Sequence, residues 1–79
     1  MKTASVKGPS IISVDETSKP KLNSGDILVQ MHACGICGSD LEKVFGQYGQ
    51  PSMRLGHEPA GVVIDVASDV VDFKKGDRV

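Results

Sequence analysis

The chain has 79 residues, with nine basic and ten acidic side chains and a formal net charge of −1 at pH 7. A chain of this length forms one small domain or part of one. Its charges are scattered rather than gathered into a basic patch, and no apolar run approaches a membrane span, which argues against nucleic-acid and membrane-binding classes. We therefore predict a cytoplasmic protein with neither nucleic acid nor membrane as a partner.

Short strands are predicted along most of the chain. Aromatic residues are scarce and Val is the commonest small aliphatic residue, which favours strands and a core of small side chains. The predicted strands cover residues 2–6, 10–14, 27–31 and 61–66, and the segments between them are rich in turn-forming Gly, Pro, Asn and Asp. The expected fold class is mainly β.

One short helix interrupts this pattern. Ser39 and Glu42 have the spacing of a capping box, in which Ser39 begins the helix and Glu42 reaches back to its amide. The helix is predicted over residues 40–45 and is ended by Gly46. A loop is expected over residues 47–54.

The residues that carry chemistry lie on either side of this helix and loop. Cys34 and Cys37 form a C-x-x-C pair, which in a reducing cytosol indicates metal ligands or catalytic thiols before a disulfide. Cys37 stands at a strand-to-helix junction, where the helix start stabilises a thiolate. Zinc prefers thiolate and imidazole ligands, so His57, with Glu58 beside it, is a candidate partner. Asp40 could accept the second N–H of a metal-bound His57. Spacing alone leaves a redox pair, a structural metal site and a catalytic metal site open.

Two segments, GICGSD at residues 35–40 and GHEPAG at residues 56–61, together resemble the medium-chain, zinc-dependent alcohol dehydrogenase family. Residues 1–9, 24–29 and 71–79 are similar to further blocks of that family, in the same order. The resemblance implies a GroES-like β-barrel, of which this chain supplies the N-terminal part. The expected fold is thus a partial barrel with one short helix.

The resemblance also implies a role for each residue of the two segments. Cys37 and His57 would be ligands of a catalytic zinc, and Glu58 would be an alternate or water-mediated ligand. Asp40 would hydrogen-bond His57. Ser39 would take the proton from a substrate hydroxyl, and a hydride would pass to a nicotinamide. Zinc would act as a Lewis acid that lowers the pKa of the alcohol.

The same resemblance implies parts that residues 1–79 do not supply. The third zinc ligand, the structural-zinc lobe and the dinucleotide-binding domain are expected downstream, and no G-x-G-x-x-G is present. We therefore expect an N-terminal fragment that does not oxidise an alcohol by itself. The complete enzyme would use NAD or NADP, act on a small alcohol or polyol, and form a homo-oligomer, a dimer or a tetramer.

Two residues depart from the family pattern or fall outside its site. Glu42 stands where many alcohol-oxidising members carry a His that extends the proton relay, and we expect Glu42 to serve the helix cap instead. Cys34 is not a usual ligand position and is expected to pack as a small residue at a strand end.

Two alternatives to a dehydrogenase remain open. One is a thioredoxin-like thiol redox module, which needs a longer amphipathic helix after Cys37 than the sequence predicts. The other is a non-catalytic GroES-like binding module, which has no use for a cluster of metal-ligating residue types.

Overall fold

The computed structural model describes residues 1–46 and 53–79. They form two compact units, Met1–Lys19 with Gly35–Glu58, and Pro20–Cys34 with Pro59–Val79. The described part is mostly strand, as the sequence predicts. Its elements are β1 (Lys2–Gly8), β2 (Ile11–Glu16), β3 (Ile27–Gly35), α1 (Gly38–Phe45), β4 (Met53–Arg54) and β5 (Glu58–Val66).

The first unit is built on an antiparallel hairpin of β1 and β2. Its register runs from Lys2 opposite Glu16 to Val6 opposite Ile12. Val6 is fully buried, which confirms the expected core of small aliphatic side chains. Both predicted strands exist, but β1 continues to Gly8 and β2 runs on past Val14 to Glu16, because hairpin pairing extends each strand beyond its apolar run.

The short strand β4 was not predicted. Met53 and Arg54 pair antiparallel with β1, opposite Val6 and Ser5, which gives the strand order β2-β1-β4. The predicted loop over residues 47–54 is therefore wrong for its last two residues, because their pairing partner is almost fifty residues away in sequence. Residues 47–52 lie outside the described part.

Helix α1 also belongs to the first unit. It ends at Gly46, whose left-handed backbone (φ 111°) lets its N–H donate to the Glu42 carbonyl at 3.1 Å. This confirms the predicted C-terminal end. The Ser10 N–H donates to the Val44 carbonyl at 2.5 Å, which ties the helix to the turn between β1 and β2.

Most of β3 and β5 forms the second unit, as a two-stranded sheet. Val63 is 1% exposed and is the buried apolar residue of this unit. Val62 bridges to Arg78, and Gly61 and Val79 exchange two backbone hydrogen bonds of 2.9 and 3.0 Å. Arg78 and Val79 therefore pair with β5.

The two sheets have three and two strands, and in the described residues neither closes into a barrel. The described strands and single short helix agree with the predicted partial barrel. Within the described residues, no helix has the length and apolar character needed to cross a lipid bilayer.

Candidate metal centre

The N-cap of helix α1 is Cys37 rather than Ser39. Cys37 has extended backbone angles (φ −93°, ψ 158°), and its amide donates to Asp40 Oδ2 at 2.9 Å. The predicted capping box of Ser39 and Glu42 is therefore wrong by two residues. An aspartate three residues after the N-cap reaches back as a glutamate does, and the sequence rule that looks for Glu or Gln overlooks it.

Capping places the Asp40 carboxylate between the helix start and His57. Asp40 is 6% exposed. With Oδ2 on the Cys37 amide, Oδ1 lies 3.3 Å from His57 Nδ1 and 3.9 Å from Lys43 Nζ. This oxygen is buried and has no hydrogen-bond partner within the described residues. A buried carboxylate oxygen needs compensation, so the two nitrogens beside it are its electrostatic partners.

Three ligand types meet at His57. One donor atom each from Cys37, His57 and Glu58 lies within 4.8 Å of the other two. Cys37 is half-buried, whereas His57 and Glu58 are exposed. Glu58 is the first residue of β5 and His57 immediately precedes that strand. Cys37, His57, Glu58 and Asp40 all fall in the first unit. We call Cys37, His57 and Glu58 the metal-ligand cluster.

Gly35 makes room for the Glu58 carboxylate. A Cβ added to Gly35 would lie 2.5 Å from Glu58 Oε2 and 3.2 Å from Glu58 Cβ. Atoms this close must move apart, so Glu58 can occupy its position only because residue 35 has no side chain. The space beside Gly35 is therefore occupied by the carboxylate of a candidate ligand.

Ser39 borders the same cluster. Its Oγ lies 3.4 Å from His57 Nε2, on the side of the ring opposite Asp40. Hydrogen bonds from the Ser39 amide, then from its hydroxyl and from His57, lower the pKa of the Cys37 thiol. Cys37 in turn raises the pKa of His57 through their hydrogen bond, and Asp40 adds to that rise. The environment thus favours the thiolate, which is the form that binds a metal.

The remaining cysteine and the predicted cap residue lie elsewhere. Cys34 is at the end of β3, as predicted, but is exposed rather than packed, and it is not in the metal-ligand cluster. Neither Cys34 nor Cys37 forms a disulfide. The Glu42 side chain is exposed, and Asp40 serves the cap in its place.

Lys43 is the residue that sequence reasoning missed. It lies one helical turn after Asp40 and forms an ion pair with it. Spacings of three and four residues bring side chains together on a helix, so the predicted helix over residues 40–45 already contained the signal for this pair.

The metal-ligand cluster fits a zinc ion by its chemistry. Thiolate, imidazole and carboxylate are the donor types that zinc takes, and three protein ligands leave a position for water or substrate. Asp40 beside His57 Nδ1 leaves Nε2 as the metal-facing nitrogen, which is the usual carboxylate–histidine–zinc arrangement. Gly35, which has no side chain, leaves space for the Glu58 carboxylate in this position.

Comparison with known proteins identifies the family. Residues 23–79 match the alcohol dehydrogenase GroES-like domain, and the chain belongs to this family. The fold resembles the crystal structure of galactitol-1-phosphate dehydrogenase from Escherichia coli, with a TM-score of 0.84 and 33% identity over 99% of this chain and 23% of that one. The predicted family and fold class are confirmed.

Curated relatives are similar over most of this chain. An alcohol dehydrogenase of Geobacillus stearothermophilus is 41% identical over 71 residues, which is 86% of this chain and 21% of that protein. A sorbitol dehydrogenase of Rattus norvegicus is 40% identical over 94% of this chain and 22% of its own length. An uncharacterized zinc-type alcohol dehydrogenase-like protein of Bacillus subtilis is 38% identical over 100% of this chain and 22% of its own. The chain spans about a fifth of the length of these relatives.

Proposed function

We propose that this chain supplies part of the catalytic zinc site of a dehydrogenase that oxidises a small alcohol or polyol with NAD or NADP. The observation that carries the proposal is the meeting of Cys37, His57 and Glu58 donor atoms within 4.8 Å, with Asp40 beside the imidazole. The alcohol, sorbitol and galactitol-1-phosphate dehydrogenases among its relatives support the substrate class.

Each residue of the site has a proposed task. Cys37 and His57 hold the zinc, and Glu58 holds it directly or through water. Asp40 orients His57 through the 3.3 Å contact between its Oδ1 and Nδ1, and would accept the N–H of Nδ1 once Nε2 holds the metal. Ser39 relays the proton of the substrate hydroxyl, accepting it at Oγ while its own hydroxyl proton passes to water, since Oγ borders the metal-facing side of the ring. Zinc supplies a Lewis acid that lowers the pKa of the alcohol.

The rest of the enzyme remains as predicted from the sequence. A third protein ligand and a dinucleotide-binding domain are proposed to lie beyond residues 1–79, and the functional form is proposed to be a cytoplasmic homo-oligomer. The relatives support the proposal of further parts, because the matched region is about a fifth of each relative's length.

The redox alternative has one supporting observation, the lowered pKa of Cys37, caused first by the Ser39 amide. That observation also suits a metal-binding thiolate. Helix α1 has eight residues, and a thioredoxin-like module needs a longer helix after Cys37. We therefore propose the metal site.

Zinc content of dialysed, reduced protein tests the proposal. We expect about one zinc per chain at this centre, and we expect Cys37→Ser and His57→Ala to lose it. Their zinc affinity should fall by more than the roughly 10- to 100-fold that removal of an outer partner costs. Cys34→Ser is the matched control, because Cys34 is exposed and outside the metal-ligand cluster. Equal loss in Cys34→Ser would contradict the proposed site. No zinc in the unsubstituted protein would contradict metal binding by residues 1–79 alone, since a third protein ligand is proposed to lie beyond them.

A further inference from the structure

The Lys43 side chain is more buried than that of Lys74, another lysine that pairs with an aspartate three residues away. The Lys43 side chain is 25% exposed, whereas that of Lys74, which pairs with Asp77, is 85% exposed. Lysines usually keep most of their length in water. The ammonium of this partly buried lysine lies 3.9 Å from Asp40 Oδ1, the oxygen beside His57 Nδ1.

The Asp40 oxygen beside His57 and Lys43 is unusual because, among the described residues, it is buried without a hydrogen bond. Asp40 Oδ1 is buried and has no hydrogen-bond partner in the described part of the chain. Asp40 Oδ2 is already held by the Cys37 amide. The groups next to Oδ1 are His57 Nδ1 and Lys43 Nζ. A neutral imidazole, the form that ligates a metal, brings no full positive charge to the carboxylate. Lys43 then supplies the nearby counter-charge.

We infer that Lys43 is a positioning residue for the candidate metal centre. Its ammonium neutralises the covered Asp40 carboxylate and holds Oδ1 toward His57, so that the imidazole presents Nε2 to the ligand side. The inference rests on the proposed function for its consequence on zinc. Its structural basis, the Lys43–Asp40–His57 contact, belongs to the protein without metal.

Lys43→Met tests the inference, because methionine keeps much of the aliphatic stem and removes the charge. In metal-free protein, we expect the ring-nitrogen NMR shifts of His57 to move toward those of Asp40→Asn. On titration with zinc, we expect an affinity about 10-fold weaker, the low end for an outer partner. Lys43→Arg should restore both values. Lys74→Met, which removes an exposed lysine of the same spacing, should change neither.

A double-substitution cycle separates this role from a general effect on the helix. Lys43 is in the last turn of α1, where a cation also stabilises the helix end. If Lys43 acts through Asp40, Lys43→Met adds no further shift or affinity loss in an Asp40→Asn background. An equally large effect in that background would overturn the inference.

Two other results would also overturn it. One is a Lys43→Met protein with His57 shifts and zinc affinity unchanged. The other is a failure of Lys43→Arg to restore them. Lys43→Gln is the second uncharged variant if Lys43→Met folds poorly, read in the same way. If the unsubstituted protein bound no zinc, metal binding by residues 1–79 alone would fail, and the His57 shifts of metal-free protein would still decide the role of Lys43.

Discussion

Replacing Gly35 with alanine should weaken the metal centre without weakening the fold. The added Cβ would lie 2.5 Å from Glu58 Oε2, and ordinary contact begins at 3.4 Å, so that oxygen must retreat by about 0.9 Å. Metal–ligand distances tolerate only about 0.2 Å. Glu58 can move because its carboxylate ends a flexible side chain, and alanine restricts the unfolded chain more than glycine does. We expect roughly 10-fold weaker zinc binding, with the free energy of unfolding unchanged or higher by up to about 1 kcal/mol.

The assay compares zinc affinity, by competition with a chelator, and urea unfolding of metal-free protein. Gly38→Ala is the matched control, because a Cβ there meets nothing within 4 Å. In a Glu58→Ala background, Gly35→Ala should cost no further affinity, since the displaced carboxylate is already absent. Unchanged affinity in Gly35→Ala, or an equal loss in the Glu58→Ala background, would refute the idea that residue 35 acts by making room for Glu58.

Two further predictions concern the second unit. Gly61→Ala should lower the free energy of unfolding by about 2 kcal/mol or more. The added Cβ would clash with the Gln30 carbonyl oxygen, a backbone atom that cannot move aside, and would lie 2.8 Å from Val29 Cγ1. A urea midpoint equal to that of Gly38→Ala would contradict this prediction. Asp69 accepts from the Ser24 hydroxyl, the larger cause, and from the Gly25 amide, and these bonds lower its pKa below 3.8. A lowered folded-state pKa means stability that is present above the unfolded value and lost as pH falls through the folded value. The gap in urea midpoint between the unsubstituted protein and Asp69→Asn should therefore narrow on going from neutral pH to about pH 3; a constant gap would contradict it.

Most of the strands could be predicted because their apolar runs are local signals. Residues 27–31 and 61–66 were placed correctly, and the structure only lengthens them into β3 and β5. The strand β4 could not be found in this way. It has two residues, Met53 and Arg54, and exists only because β1 pairs with it. No local pattern encodes a pairing made across the chain.

The site was predictable in its ligand types but not in its local geometry. Cys37 and His57 are residue types that zinc prefers, and the segment resemblance joined them. The helix start was misplaced because the capping rule favours Ser with Glu over Cys with Asp. That shift hid the connection between Asp40 and the Cys37 amide. Lys43 lay inside the predicted helix, but spacing alone does not show that the Asp40 carboxylate beside it is buried.

The hairpin of β1 and β2 brings the two halves of the site together, although it contributes no ligand. On one side, the Ser10 amide in its turn holds α1 through the Val44 carbonyl, and Cys37 begins that helix. On the other side, β1 pairs with β4, and the Ala4 carbonyl accepts from the Leu55 amide at 3.3 Å, two residues before His57. Closing the chain between Cys37 and His57 costs conformational entropy, and these backbone bonds offset that cost. A site whose ligands are separated in sequence thus depends on a strand pair that no metal-binding motif includes.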